Sequence, residues 1–211
     1  MQAIDFANTI RWYNTNAMQY ASNIADAVST NRIDKFVSLL PKGSKVLDAG
    51  CAAGRDVNVL SQRGFNAVGI DISSGLIKIA KQKFPHLPFV QGDFLKLPFA
   101  DNSFDGIWAH ASLLHLETID EVKRAFSEFN RVLRKQGILY DYVKAQMGTE
   151  KTETVKDKLS NEGRFVRYYT LDEMRQFIEE NGFELIHLEQ TKENLLGRSN
   201  LEWIAAYSRK S

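Results

Sequence analysis

Residues 45–60, KVLDAGCAAGRDVNVL, pass from a short apolar strand into a helix through a turn that contains two glycines. Asp48 lies near the end of the strand, and Gly50 and Gly54 lie in the turn. In open α/β sheets, ligands bind beyond the carboxyl ends of the strands, and the first strand–helix turn is the usual place. Residues 48–56 are therefore the first candidate for a binding site.

Two common nucleotide-binding loops do not fit this turn. A nicotinamide-binding fingerprint requires three glycines in the pattern G-x-G-x-x-G. Counted from Gly50, the other two positions hold Ala52 and Arg55, so the pattern fails. A phosphate-binding loop requires Lys-Ser or Lys-Thr after its second glycine. Neither pair follows Gly54, so the chain is not read as a nicotinamide dehydrogenase or a phosphate-loop protein.

Cys51 also lies in the turn, but a nucleophilic cysteine needs a neighbouring base. No histidine is close to it in the sequence, and its small size in a tight turn is the structural alternative. What remains is an acid followed by spaced small residues: Asp48, Gly50, Ala52 and Gly54. A carboxylate here repels a pyrophosphate and attracts an ammonium group or hydroxyls. The turn therefore predicts a ligand with cationic or hydroxyl groups.

The composition is that of an ordinary globular protein. The chain has 211 residues, of which 44% are hydrophobic and 25% charged, and we expect one domain over 1–211. Its formal charge of +1 gives no reason to expect nucleic acid or an anionic membrane as partner. A single cysteine excludes an internal disulfide framework, and neither a signal-peptide core nor a membrane span is recognisable. We expect a cytoplasmic protein that does not enter the membrane.

Strand and helix patterns alternate along the chain. The predicted strands are 45–50, 66–71, 88–93, 104–110, 138–143, 183–190 and 201–209. The helix predicted over 118–135 begins with a capping box of Thr118 and Glu121 and stops at Gly137. This order predicts an α/β fold: a seven-stranded, mostly parallel sheet with helices on both faces and an antiparallel C-terminal hairpin. Residues 1–40 are predicted as a helical cap, and 144–170 as an insertion over the active site.

Further segments match a known family in register. The turn at 48–54 resembles motif I of the class I S-adenosylmethionine-dependent methyltransferases. VGIDIS (68–73), QGDF (91–94) and FDGIWAHASLLHL (104–116) resemble the next three motifs, each at the end of a predicted strand. The similarity covers about residues 44–143, and the C-terminal part is similar to the bacterial type-11 small-molecule methyltransferases. The resemblance implies a Rossmann-like fold.

The resemblance also implies a cofactor, S-adenosylmethionine, with S-adenosylhomocysteine as product. In the family, the acid at Asp71 binds the ribose hydroxyls, Asp93 accepts from the adenine amino group, and Phe94 lines the adenine ring. The backbone around Ala109 and His110 receives the methionine ammonium. The full implied cofactor set is Asp48, Ala49, Gly50, Cys51, Ala52, Gly54, Arg55, Asp71, Ile72, Asp93, Phe94, Ala109, His110 and Ala111. Tyr20 joins this set on other grounds, because the aromatic N-terminal segment could close over the cofactor; the alternative for Tyr20 is plain packing. Ala52 replaces the usual glycine, which we expect to be tolerated if its φ is negative.

The acceptor side is less defined. A general base is needed only for acceptors that are protonated at neutral pH. His110 and His115 are the candidates for that role, and no catalytic residue is certain. Tyr13, Arg164, Arg167 and Tyr168 could hold an acidic or planar acceptor. The alternative for GRFVRYYT (163–170) is a solvated edge strand, and the four histidines show no metal-ligand spacing, so no metal is expected.

The functional hypothesis is methyl transfer from S-adenosylmethionine to a small-molecule acceptor. One alternative is an RNA- or tRNA-modifying methyltransferase, which the Arg/Tyr segment and the basic C-terminus favour and the neutral charge balance opposes. The other is a non-catalytic S-adenosylmethionine-binding protein, which the set of acids at 48, 71 and 93 opposes. The sequence names neither the acceptor nor the oligomeric state.

Overall fold

The computed structural model describes residues 6–156, 163–192 and 201–211. The helices are α1 (Phe6–Thr15), α2 (Ala17–Asn23), α3 (Thr30–Ser38), α4 (Arg55–Gln62), α5 (Ser74–Lys83), α6 (Ile119–Val132) and α7 (Leu171–Glu180). The strands are β1 (Lys45–Ala49), β2 (Asn66–Asp71), β3 (Phe89–Gln91), β4 (Phe104–His110), β5 (Leu133–Lys144), β6 (Thr152–Lys156), β7 (Gly163–Arg167), β8 (Phe183–Lys192) and β9 (Glu202–Lys210). Residues 1–5 of the predicted cap and 157–162 of the predicted insertion lie outside these ranges.

Seven strands form one sheet in the order β3-β2-β1-β4-β5-β9-β8. Strands β1 to β5 pair in parallel, whereas β9 is antiparallel to both β5 and β8. The predicted Rossmann-like sheet and its C-terminal antiparallel hairpin are confirmed. Because β1 is flanked by β2 and β4, the strand order reverses there, which opens a crevice at the carboxyl ends of β1 and β4.

The sheet is buried on both faces, which explains its continuous apolar strands. In β1, Val46 packs on the side of Phe36 from α3, and Leu47 packs on the side of Phe126 from α6. All four side chains are fully buried. The core therefore fixes β1 from both sides and holds the turn that follows it in place.

Side chains cap three of the helices at their first turn. Thr118 and Glu121 form a capping box at α6, and Thr170 and Glu173 form another at α7. Ser73 caps α5 by accepting a hydrogen bond from the Leu76 backbone at 3.2 Å. The predicted capping box at α6 is thus confirmed, because capping depends on residues within one helical turn.

The predicted end of α6 is wrong. The helix stops at Val132 and β5 begins at once, so the stretch to residue 135 is not helical and Gly137 is not a helix stop. Residues 134–137 form an irregularity in the pairing of β4 with β5. A Cβ on Gly137 would lie 2.8 Å from the Arg134 carbonyl oxygen and 3.1 Å from that of Asp105. A glycine is needed there for close packing of backbones.

The N-terminal helices lie at the carboxyl edge of the sheet. Asn14 of α1 accepts hydrogen bonds from Ser73 Oγ at 2.8 Å and from the Gly75 backbone at 3.0 Å. On its other side, Thr9 Oγ1 accepts from the Phe165 backbone at 3.0 Å. Helix α1 thus bridges the start of α5 and strand β7. Within the described ranges, no helix is long and apolar enough to cross a membrane.

Candidate active site

A cavity of about 310 Å³ lies at the carboxyl ends of the central strands. The turn after β1 and the ends of β2 and β4 form its floor, and α1, α2 and the β6–β7 pair contribute to its walls. The predicted residues that line it are Tyr13, Tyr20, Asp48, Gly50, Cys51, Ala52, Arg55, Asp71, Ile72, Phe94, His110, Ala111, His115 and Arg164. Residues from distant parts of the chain therefore converge on one cavity.

Four predicted cofactor residues do not line this cavity. Ala49 and Ala109 are fully buried within their strands. A Cβ on Gly54 would lie 2.6 Å from the Phe89 ring, so this glycine packs α4 against the sheet. Asp93 Oδ1 accepts a hydrogen bond from the Leu95 backbone at 2.8 Å, which caps the short 3-10 turn at 94–96.

Two predicted acceptor residues are also outside the cavity wall. Arg167 donates from its Nε to the Leu116 carbonyl oxygen at 3.2 Å and also contacts the Glu117 carbonyl. Tyr168 lies beneath Lys144, whose Nζ is 5.7 Å from the ring centroid. Of the four acceptor candidates, Tyr13 and Arg164 line the cavity.

The turn after β1 is shaped by its small residues. Gly50 has φ of 87°, and a Cβ there would lie 2.4 Å from Ser112 Cβ. Ala52 has φ of 47°, so the condition of a negative φ under which alanine was expected to be tolerated is not met. The Ala52 backbone donates to Asp71 Oδ2 at 2.8 Å, and this charge-assisted bond helps to hold the left-handed conformation.

Three carboxyl groups surround the turn. Asp48 is buried, and its Oδ2 has no hydrogen-bond partner among the described residues. Burial and the nearby Asp56 raise the pKa of Asp48 well above its usual range, against a lowering effect of Arg55. Burial also raises the pKa of Asp71, although hydrogen bonds from the Ser73 and Ala52 backbones oppose this. A cation bound here would favour the ionised carboxylates.

Asp56 and Arg55 form an ion pair beside this group. Arg55 Nε donates to Asp56 Oδ1 at 2.7 Å, and Trp108 Nε1 donates to Asp56 Oδ2 at 3.1 Å. Burial alone would raise the pKa of Asp56, but its bonds with Arg55 keep it below the usual value. Arg55 also donates to the Ile24 carbonyl oxygen at 3.0 Å, which ties the turn to the residues after α2.

Cys51 is a packed residue with a protonated thiol. Its side chain is buried, and a Cβ on Gly69 would lie 2.7 Å from Cys51 Sγ. Burial raises the pKa of this thiol, and Asp48 and Asp71 raise it further. Because the thiolate is the nucleophilic form, these surroundings oppose reactivity.

His110 belongs to a row of stacked rings along the edge of the sheet. Its ring is parallel to that of Tyr142, with centroids 4.6 Å apart, and Tyr142 stacks on Trp203 at 4.7 Å. All three rings line the cavity. Sequence reasoning missed Tyr142 and Trp203. The former is near the carboxyl end of β5 and the latter at the start of antiparallel β9, so both positions meet the same sheet edge.

His115 makes two short hydrogen bonds. Its Nδ1 is 2.7 Å from the Phe165 carbonyl oxygen, and its Nε2 is 2.8 Å from Tyr13 Oη. Arg164 donates to the same Tyr13 oxygen at 3.3 Å, and its guanidinium lies 4.2 Å from the centroid of the Trp12 ring. The structure thus brings together Tyr13, His115 and Arg164, three candidates that are far apart in the sequence.

The polar groups around the turn fit S-adenosylmethionine. Asp48 Oδ2 and Ser112 Oγ are buried polar atoms without a hydrogen-bond partner in the described ranges, and both residues line the cavity. Carboxylates suit an ammonium group and hydroxyls, and the missing side chain at Gly50 leaves room for close approach to the backbone. Within the same ranges, no cluster of three or more His, Cys, Asp or Glu side chains could hold a metal ion.

Comparisons with known proteins agree with this reading. Residues 47–141 match the type-11 family model described as a methyltransferase domain. The chain is 31% identical over 159 residues to a sterol 24-C-methyltransferase of Gibberella zeae, covering 70% of this chain and 41% of the relative. It is 35% identical over 97 residues to a demethylmenaquinone methyltransferase of Renibacterium salmoninarum, covering 46% and 40%. The chain therefore spans less than half the length of these relatives.

The fold is shared with solved methyltransferases. The crystal structure of 1,6-didemethyltoxoflavin-N1-methyltransferase from Burkholderia thailandensis, with 1,6-didemethyltoxoflavin and S-adenosylhomocysteine bound, superposes with a TM-score of 0.76. The sequence identity is 17%, and the match covers 97% of this chain and 88% of that one. The architecture is thus the Rossmann-like fold of class I methyltransferases. The resemblance found in the motifs is confirmed for residues 47–141, which match the model of a methyltransferase domain.

Proposed function

We propose that the protein transfers a methyl group from S-adenosylmethionine to a small-molecule acceptor. The observation that carries this proposal is the cavity in which the glycine turn and the acids at the carboxyl ends of β1 and β2 meet an aromatic and cationic wall. The domain match supports the choice of cofactor. The relatives named above act on small molecules by their names, which supports the same class of acceptor.

The residues at the acidic side would hold the cofactor. Each Asp71 oxygen already accepts one backbone hydrogen bond and has a further lone pair for a ribose hydroxyl. Asp48 offers its Oδ2 to an ammonium group, and Phe94 offers an apolar surface for a purine. When bound, S-adenosylmethionine supplies a methyl group that its sulfonium already activates. The surrounding residues orient the reactants and exclude water, which can contribute about 7–11 kcal/mol.

The walls of the cavity favour a small acceptor over RNA. The cavity is lined by Tyr13 and Tyr20 from the N-terminal helices and by Val155 and Arg164 from the β6–β7 pair.

We therefore propose that 1–211 act as one domain, with 1–40 as the cap and 144–170 as an insertion over the site. The near-neutral charge of the chain adds no support for nucleic acid as partner. The cytoplasmic location stays a prediction.

Titration calorimetry with S-adenosylmethionine, S-adenosylhomocysteine and NAD tests the cofactor. We expect both sulfur compounds to bind and NAD to bind more weakly, and tighter binding of NAD would refute the proposal. Asp71→Ala should weaken binding of S-adenosylhomocysteine by about 1–3 kcal/mol through loss of charge-assisted contacts. Asp34→Ala, which removes an exposed acid paired with Arg63, is the control and should bind normally.

A radiolabelled-methyl screen of metabolites and bulk tRNA tests the acceptor class. We expect label in the small-molecule fraction and none in tRNA. Label transferred to tRNA alone would replace the small-molecule proposal by the RNA-modifying alternative. Tight cofactor binding without transfer to any compound would favour the non-catalytic alternative.

A further inference from the structure

The charged residues of the cavity form two groups, an acidic group that includes one paired arginine and a group of two cations. Asp48, Asp56 and Asp71 influence one another around the turn after β1, together with Arg55. Lys144, at the end of β5, and Arg164, in β7, line another part of the same cavity, and both act on His115. A cofactor with cationic groups is complementary to the acids. The two cations therefore face the part of the cavity that is left for the acceptor.

Arg164 packs over aromatic rings. Its guanidinium lies 4.2 Å from the centroid of Trp12 and 5.6 Å from that of Tyr13. Contact with these rings restricts the side chain, and the fork of N–H groups on a guanidinium suits a carboxylate. Because the side chain is already ordered, little conformational entropy is lost when an anion binds.

His115 adds no charge to this wall. A carbonyl oxygen can only accept, so Nδ1, at 2.7 Å from the Phe165 oxygen, carries the proton. Burial, with smaller contributions from Arg164 and Lys144, lowers the pKa of His115 to about 3 against the opposing effect of the hydrogen bond to the Phe165 carbonyl, so the ring is neutral. Its Nε2 then accepts the hydrogen bond of Tyr13 at 2.8 Å. The Tyr13 hydroxyl is thereby turned toward His115, with its oxygen facing the Arg164 donor.

Lys144 brings the second cation. Its side chain is 10% exposed, and its Nζ is 3.8 Å from Glu153, whose side chain is 42% exposed. An ion pair with an exposed partner at this distance is weak, whereas a cation in a low-dielectric cavity attracts an anion strongly. Lys144 is paired with Trp203 across β5 and β9, so it stands beside the row of stacked rings.

We propose that Arg164 and Lys144 form an anion subsite for the acceptor, which is a planar molecule carrying a carboxylate or a comparable ionised oxygen. The inference rests on the proposed methyl transfer and names its class of substrate. The planar shape follows from the rings of Tyr13, Tyr142 and Trp203, which line the cavity around the two cations. Neutral His115 holds Tyr13 in place and acts as a positioning residue.

Matched pairs of small probes test this subsite on the full chain saturated with S-adenosylhomocysteine. Benzoate and salicylate are compared with benzamide and salicylamide, which have nearly the same shape and no charge, by saturation-transfer NMR and calorimetry. We expect the carboxylates to bind roughly tenfold more tightly or better, as charge-assisted contacts require. Equal affinity within each pair, or binding of neither member, would overturn the proposal.

Variants test which residues cause the preference for carboxylates over amides. Arg164→Met and Lys144→Met should each abolish most of this preference. Arg164→Lys, which keeps a cation, should retain part of it. Arg167→Met is the matched control, because it removes the same charge from the same strand at a residue that contacts the 116–117 backbone. An unchanged preference in the first two variants, or a loss only in Arg167→Met, would contradict the assignment. Folding is checked by thermal melts.

The same titrations separate this inference from the function on which it rests. If S-adenosylhomocysteine binds and carboxylates are not preferred, the anion subsite is wrong and the proposed cofactor stands. If S-adenosylhomocysteine does not bind, the proposed function itself fails.

Discussion

Substitution of Gly50 by alanine tests how tightly the turn is packed. The backbone has φ of 87° at this position, which costs an L-residue about 1–2 kcal/mol. The added Cβ would also lie 2.4 Å from Ser112 Cβ, and relief of such overpacking costs about 1–3 kcal/mol. We expect Gly50→Ala to lower the free energy of unfolding by about 2–5 kcal/mol, the sum of the two.

Gly64→Ala is the matched control, since Gly64 has φ of 85° and nothing lies within 4 Å of the added Cβ. This variant should lose only the conformational part, about 1–2 kcal/mol. For a chain of this size, 1 kcal/mol corresponds to about 2–4 °C in Tm. Thermal melts should therefore place Gly50→Ala clearly below Gly64→Ala.

Cofactor affinity gives an independent readout of the same pair. Ser112 and Gly50 both line the cavity, so the shift that relieves the contact must displace part of its wall. Calorimetry should show weaker S-adenosylhomocysteine binding for Gly50→Ala and normal binding for Gly64→Ala. Equal melting temperatures together with equal affinities would refute the packing described for this turn.

Three further predictions concern buried groups and the N-terminal helices. Asp141 is fully buried with no hydrogen-bond partner for either oxygen among the described residues, and burial raises its pKa. Its contribution to stability is therefore complete at acidic pH and is lost as pH rises, by up to about 1.4 kcal/mol per pH unit between the unfolded and folded pKa values. Urea melts of Asp141→Asn should lack this slope. The pKa of Asp48 is raised, so affinity for S-adenosylhomocysteine should rise with pH as the carboxylate ionises. Binding should therefore release a proton, which calorimetry in buffers of different ionisation heat detects. Asp48→Asn should abolish this release. Asn14→Ala removes three hydrogen bonds to the start of α5, each worth about 1 kcal/mol, so hydrogen exchange should accelerate in α1 and stay unchanged in β1.

The end of α6 shows which parts of the fold a sequence can and cannot predict. The start of α6 depends on Thr118 and Glu121, which lie within one turn, so it was predictable. Its end depends on how β5 meets β4, because the Asp105 carbonyl lies 3.1 Å from the position of a Cβ on Gly137. That contact joins segments 32 residues apart, and Gly137 was therefore mistaken for a helix stop.

The candidate site also has parts that the sequence predicts and parts that only the tertiary structure shows. Asp48 and Asp71 lie near the carboxyl ends of consecutive strands, so their order along the chain predicts that they meet at one edge of the sheet. The hydrogen bond between Arg164 and Tyr13 joins residues 151 positions apart, and no local pattern marks it. Arg167 and Tyr168 have the same residue types as Arg164 and Tyr13, and only the tertiary structure separates those that line the cavity from those that do not.

The acceptor wall is encoded outside the segment that encodes the cofactor turn. The family match ends at residue 141, whereas Tyr13, Lys144, Arg164 and Trp203 all lie beyond its limits. Of these four, Tyr13 in α1 and Arg164 in β7 lie outside the seven-stranded sheet. We therefore expect that the segments carrying these two residues can be exchanged between proteins of this fold, changing the preference for the acceptor and leaving that sheet intact.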